Sequence, residues 1–221
     1  MLDGLRVFGR ALRHLNQRGY IYVWATVLWA VLTLPIITAP AAWAGLVRMS
    51  FYAHRQPRAG LDDFWIGFRQ NFWRGIPIAL FNAVLLVITI SNLLSYADQT
   101  GIGFVVLRLI WILTLLFVLI MQFFGWCFFY AMKQPSLIGG LRNTAVMLLN
   151  NPGFSMVVLI GALLISILSS LLPAAWFLIT GGALAALANS AVQDRLRAAG
   201  IEAQPTFDEN MIVDAIYSDD S

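Results

Sequence analysis

The chain has 221 residues, of which 60% are hydrophobic and 11% charged, with a formal net charge of +3. A soluble domain carries about a quarter charged residues, so the composition excludes an ordinary soluble fold and points to a multi-spanning membrane protein. The single cysteine, Cys127, excludes an internal disulfide and a cysteine-based zinc cluster; within FFGWCFFY it reads as a buried, inert thiol.

Residues 2–18 place Leu2, Leu5, Phe8, Leu12 and Leu15 at helical spacing, with Arg6, Arg10 and Arg13 on another face. This predicts an amphipathic helix in the membrane interface. No apolar core or small-residue cleavage site precedes Tyr20, so this N-terminus does not read as a cleavable signal peptide. A hydrophobic run over 20–51 follows. As a straight helix it would be about 48 Å long, against a hydrocarbon core of roughly 30 Å. Pro35 and Pro40 near its middle forbid that helix, since proline lacks a donor and clashes with the preceding turn. The expectation is a turn, PIITAP, between two short spans at 20–34 and 41–53. There Thr38 satisfies backbone groups that the prolines free; a gate or ligand contact at Pro35, Thr38 and Pro40 is the sharper alternative.

The segment HRQPRAGLDD is the first clear loop, with Asp62 or Asp63 opening a helix. Phe64, Phe68 and Phe72 recur every four residues beside Trp65, Trp73, Arg69, Arg74 and Asn71. This reads as a second interfacial helix, an anchor in the lipid headgroups or a docking surface for a partner. Apolar runs at 76–96 and 102–132 are spans. Ser136 is expected to cap a third amphipathic helix, SLIGGLRNTAVMLLN, stopped at Asn151-Pro152. The run 153–192 corresponds to about 60 Å of helix, and Pro173 divides it into two spans. After Arg197 there is no Lys or Arg, while Glu202, Asp208, Glu209, Asp214, Asp219 and Asp220 are acidic. The chain thus divides into one membrane domain, 1–198, and an acidic, flexible tail, 199–221, with a short helical turn around 211–217.

Charge tests this division. With six passes, the N-terminal arginines, Arg48, Arg55, Arg58, Arg69, Arg74, Lys133, Arg142, Arg195 and Arg197 all face the cytoplasm, and both termini lie there. Only Arg108 is misplaced, near the outer end of its span, where it snorkels or pairs with Asp98. The basic segments fit anionic lipid headgroups, or orientation alone. No basic groove or aromatic platform points to nucleic acid. At an offset of 56, Gly4, Leu5, Phe8, Arg13, Arg18 and Gly19 match Gly60, Leu61, Phe64, Arg69, Arg74 and Gly75, with a looser third copy around Leu137, Leu141 and Arg142. Each unit would be a basic amphipathic helix followed by a membrane hairpin; chance among hydrophobic sequences is the alternative.

Through LPIITAPAAWAGL and FWIGFRQNF the chain resembles the YesL-like family of small bacterial integral membrane proteins. Leu34, Pro35, Ile36, Thr38, Pro40 and Ala41 match the first motif, with Ala39 where a glycine is usual. Phe64, Phe68, Arg69, Asn71 and Phe72 match the second. The specific part covers about 40 residues. The resemblance implies a polytopic protein of the bacterial cytoplasmic membrane, of unestablished activity and often encoded beside carbohydrate importers of the ATP-binding-cassette type. It brings no catalytic residues.

No Asp or Glu lies within 76–96, 102–132 or 153–192. Coupled carriers usually need an intramembrane carboxylate, so such a carrier is disfavoured. His14 and His54 are juxtamembrane with no second histidine at ligand spacing, and read as bystanders. No Ser–His–Asp arrangement, phosphate loop or HExxH motif is present, so no enzymatic activity, cofactor or metal is expected. The intramembrane polar groups Asn82, Asn92, Gln122 and Arg108 read as glue between helices, or as the lining of a polar cavity. The expected fold is an all-α, polytopic transmembrane bundle of about six passes, including the proline-broken hairpin, with interfacial amphipathic helices. The expected function is a non-enzymatic accessory or regulatory partner of a carbohydrate importer; the alternative is a small-molecule carrier or channel. A cavity reaching Asn82, Gln122 or Arg108 discriminates in favour of the carrier.

Overall fold

The computed structural model describes residues 2–56 and 58–201. The turn expected at 211–217 and most of the acidic tail lie outside the described residues, as does Pro57 of the first basic loop. Within them the chain is entirely helical: α1 (Leu2–Thr33), α2 (Ala39–Ala53), α3 (Leu61–Ser95), α4 (Ile102–Ala131), α5 (Leu137–Asn150), α6 (Pro152–Ser170) and α7 (Pro173–Ala198). Four of these, α3, α4, α6 and α7, are long and apolar enough to cross a membrane.

The expected division between the first amphipathic helix and the first span is a kink, not a break. Helix α1 runs through both, with non-helical dihedrals only at Arg18 (φ −128°, ψ 24°). The Arg18 guanidinium donates to the Gln56 carbonyl at 2.7 Å, which fixes the kink against the first basic loop. The segment expected to form a second interfacial helix is likewise continuous with the apolar run that follows it. Helix α3 carries Pro77 in its interior, where proline removes one backbone bond without ending the helix. The third does separate: Ser136 Oγ accepts from the Gly139 N–H at 3.3 Å to start α5, and Pro152 opens α6. The three proposed repeats therefore join their two parts in three ways, by a kink, a continuous helix and a break.

Helix α2 is the axis of the bundle, and every residue from Ala44 to Ala53 is buried. Its small residues let α3 approach to backbone contact, as small residues do between membrane helices. A Cβ on Gly45 would lie 2.7 Å from the Phe64 carbonyl, one on Gly67 2.9 Å from Gly45 Cα, and one on Gly75 3.0 Å from the Ala41 nitrogen. Helices α4 and α5 meet the same way, with Gly140 against the Gly125 carbonyl. At the N-terminal end of α1, Asp194 accepts from Arg10 and Arg195, and Arg195 also lies 3.7 Å from Asp3.

The core occupies one end of the molecule: Leu46–Ala53 of α2, Phe124–Ala131 of α4 and Ala185–Val192 of α7 are buried together. At the other end α3 and α4 run on as a pair whose apolar side chains are mostly exposed, and the most apolar stretch of α4 contains no buried residue. Arg48, expected at the membrane surface, is instead fully buried. It lies 4.9 Å from the Tyr52 ring centroid and 3.4 Å from Gln70 Oε1, because α3 closes over the end of α2. Arg108 does not turn to Asp98. It donates to the carbonyls of Gln99, at 2.6 Å, and Phe104, at 3.3 Å.

Candidate ligand groove

The α1–α2 turn, α3, α4 and α7 enclose a groove of about 680 Å³. Two backbone irregularities wall it. The first is the turn at 34–38, where Ile36 has φ 63°, a left-handed conformation that a β-branched residue rarely adopts. The turn supplies its own hydrogen bonds. Leu34 N donates to Val31 O, Ile36 N to Thr33 O, Ile37 N to Pro35 O and Ala39 N to Ile36 O, at 2.6–3.3 Å. Thr38 Oγ1 donates to the Leu32 carbonyl, and Pro40 stands in the first turn of α2, where its missing N–H is not needed. The second irregularity is a π-helical turn, Trp176–Thr180, near the start of α7, with Thr180 Oγ1 donating to the Ala175 carbonyl at 3.0 Å. Single π turns inside helices recur at functional sites.

Between these walls stand four indoles, Trp29, Trp43, Trp126 and Trp176. Trp29 packs on Gly181, where a Cβ would lie 2.5 Å from its ring, and Trp43 stacks on Phe123 at 5.8 Å. The polar contribution to the floor is an amide pair. Asn82 Nδ2 donates to Gln122 Oε1 at 2.9 Å and Gln122 Nε2 donates to Asn82 Oδ1 at 2.7 Å, which ties α3 to α4. Each amide retains one further N–H. Asn82 and Gln122 thus come together as both glue and cavity lining. Asn92 and Arg108 do not join them; Asn92 donates to the Ile88 carbonyl in its own helix. Pro40 lines the groove, while Pro35 and Thr38 shape the turn behind it.

The aromatic face of α3 divides. Trp65, Arg69 and Trp73 are exposed, Trp73 to 78%, whereas Phe68 and Phe72 are half-buried and form an edge-to-face ladder with the two indoles. Phe64 and Asn71, expected at this interface, are instead buried. Phe64 packs beside Gly45, and Asn71 donates to the Gly67 carbonyl and to Tyr130 Oη at 2.8 Å. Helical spacing placed Phe64 in the aromatic repeat with Phe68 and Phe72, but did not tell which face of α3 meets α2.

His14 and His54 are distant in sequence yet stack at 3.9 Å. The Ser50 carbonyl, 2.7 Å from His54 Nδ1, requires a proton there, so Nε2 accepts from Ser190 Oγ at 3.0 Å. Burial foremost, then the charge of His14, lowers the His54 pKa to about 4, which keeps the ring neutral. Among the described residues no three His, Cys, Asp or Glu side chains cluster to hold a metal. This pair ties α1, α2 and α7 together. Sequence reasoning missed the four groove tryptophans, the π turn and the histidine stack. The two prolines, and Asn82 and Gln122 as candidate cavity lining, were the signals in the sequence that pointed to the groove. Searches of family models, curated proteins and solved structures find no match to this chain.

Proposed function

We propose that this protein is a non-enzymatic membrane protein that takes a hydrocarbon ligand bearing one hydrogen-bonding group from the bilayer into this groove. The observation that carries the reading is convergence: the left-handed Ile36, the π turn and the Asn82–Gln122 pair all border one cavity. Its volume lies in the range of about 300–1,000 Å³ for small-molecule sites. The indoles and aliphatic side chains hold the chain of the ligand, and the spare amide N–H groups of Asn82 and Gln122 orient its polar end. Ile36, Leu86 and Val87 are exposed at the groove margin, so entry is sideways from lipid.

The test is photo-crosslinking in nanodiscs with a diazirine-bearing fatty acid, mapped by mass spectrometry. Crosslinks are expected at the turn, Trp43 and Phe123, and Ala83→Trp, which fills the groove from an exposed position, removes them. Equal labelling of that variant, or labels confined to the outer faces of α3 and α4, rejects the reading.

The turn at 34–38 is placed inside the bilayer in this reading, which makes α1–α2 a re-entrant hairpin beside four full spans. Ile36 shares the groove with Val87, and α3 continues eight residues, about 12 Å, beyond Val87. The backbone N–H groups of Leu34, Ile36, Ile37 and Ala39 find carbonyls within or beside the turn, which lowers the cost of placing it in hydrocarbon. A re-entrant hairpin returns to the side it entered from, so the positive-inside assignment of both ends to the cytoplasm is the same as for six passes. Ile36→Cys should resist a membrane-impermeant maleimide from either side; labelling from outside restores six passes. The exposed Trp65, Arg69 and Trp73 support a second reading, in which an importer subunit docks on α3, as the resemblance to the YesL-like family would imply. Co-purification of importer subunits, abolished by Trp65→Ala with Trp73→Ala, tests that role.

A further inference from the structure

A second groove, of about 370 Å³, lies on another face of the α3–α4 pair, where α5 crosses. It shares Gln122 and Trp126 with the first, and its own walls are apolar: Pro77 and Phe81 of α3, Met121 of α4, Ile138 and Leu141 of α5. We propose that it is a binding site for one acidic phospholipid, with an acyl chain in the groove and the phosphate held by Arg74 and Arg142.

Helical register places each arginine one turn from a residue that lines the groove. Arg74 precedes Pro77 and Ile78 by one turn of α3, and Arg142 follows Ile138 by one turn of α5, so each shares a face with lining residues. Both are exposed. Arg74 stands just before the apolar run that begins at Ile76, the depth of a lipid headgroup, with the exposed Trp73 indole beside it. Charge complementarity identifies the occupant. Helices α4 and α5 contain no acid and α3 has none after Asp63, and among the described residues neither arginine makes an ion pair. Among the described residues Arg74 donates to the Asn71 amide oxygen at 3.3 Å and lies 5.8 Å from the Phe129 ring centroid. Their charge is therefore available to an anion that is itself anchored in hydrocarbon. A zwitterionic lipid fills the same groove without that gain.

The experiment is native mass spectrometry of the full chain released from nanodiscs containing equal phosphatidylglycerol and phosphatidylcholine. One phosphatidylglycerol should be retained in preference to phosphatidylcholine by roughly 30-fold, the effect of two arginines at a lipid surface. Arg74→Gln with Arg142→Gln should reduce the preference to near unity, whereas Arg69→Gln, on the Trp65 side of α3, should leave it intact. Circular dichroism confirms folding, which exposed arginines do not control. Displacement by millimolar glycerol phosphate would show a headgroup site without an acyl groove and overturn the proposal. So would an unchanged preference in the double variant. A preference appearing only after removal of residues 202–221 would assign the arginines to the acidic tail, and equally overturn it.

Discussion

The Asn82–Gln122 pair makes a quantitative prediction, because it is a closed two-bond ring between long helices that otherwise touch sparsely. Interhelical hydrogen bonds in membranes contribute about 0.6 kcal/mol on average and up to about 1.7. Removing one amide breaks both bonds, at 2.9 and 2.7 Å, and orphans the other amide in an apolar groove, a further cost of about 1 kcal/mol or more. Asn82→Leu and Gln122→Leu should each destabilise by about 2–3 kcal/mol. The double substitution removes the orphan with the bonds, so it should cost no more than about 1 kcal/mol, a coupling of roughly 3–5 kcal/mol. The assay is reversible unfolding in mixed micelles followed by fluorescence, with Trp43 and Trp126 in the affected groove. Additivity of the single variants within about 0.5 kcal/mol would refute the reasoning, since it would mean that the two amides act independently.

Three other predictions use the same unfolding assay. Ile36→Gly should stabilise by about 1 kcal/mol, because glycine adopts φ 63° without strain; destabilisation would mean that the Ile36 side chain outweighs the strain it bears. Gly45→Ala and Gly140→Ala should each cost about 1–3 kcal/mol, since the new methyl meets a carbonyl oxygen at 2.7 and 2.5 Å. Gly103→Ala, with nothing within 4 Å, should be neutral or gain up to about 1 kcal/mol of helix propensity, so equal losses at all three sites would exclude close packing as the cause. Finally, His54 titrates near 4 when folded and near 6.5 when unfolded. Its contribution is complete above pH 6.5 and is lost as pH falls toward 4, where the unfolded chain binds a proton that the folded ring refuses. The loss is roughly 3 kcal/mol at most. His54→Gln should flatten that limb of the stability profile, and an unchanged slope would place the pH sensitivity elsewhere.

Segment boundaries set by covalent chemistry were legible in the sequence. Pro35 follows the end of α1, Pro40 stands in the first turn of α2, Ser136 caps α5, Pro152 opens α6 and Pro173 opens α7, because each acts on its own backbone. Membrane residence was equally legible, as a property of composition. What lay beyond the sequence was the joining of elements and the choice of face. Arg18 and Arg74 occupy equivalent junctions between basic and apolar segments, yet both helices run through them, since a lipid interface alone does not terminate a helix. Phe64 and Asn71 read as surface until α2 was placed against Gly67 and Gly75. The assembly of the groove belongs to the tertiary structure. Asn82 and Gln122 stand 40 residues apart, Ile36 and Trp176 are 140 apart, and in a chain this apolar no hydrophobic pattern distinguishes a lipid-facing tryptophan from one turned inward. Hydropathy specifies that a helix enters the bilayer; only the close approach of Gly45, Gly67 and Gly75 determines which faces meet and which remain open to the lipid.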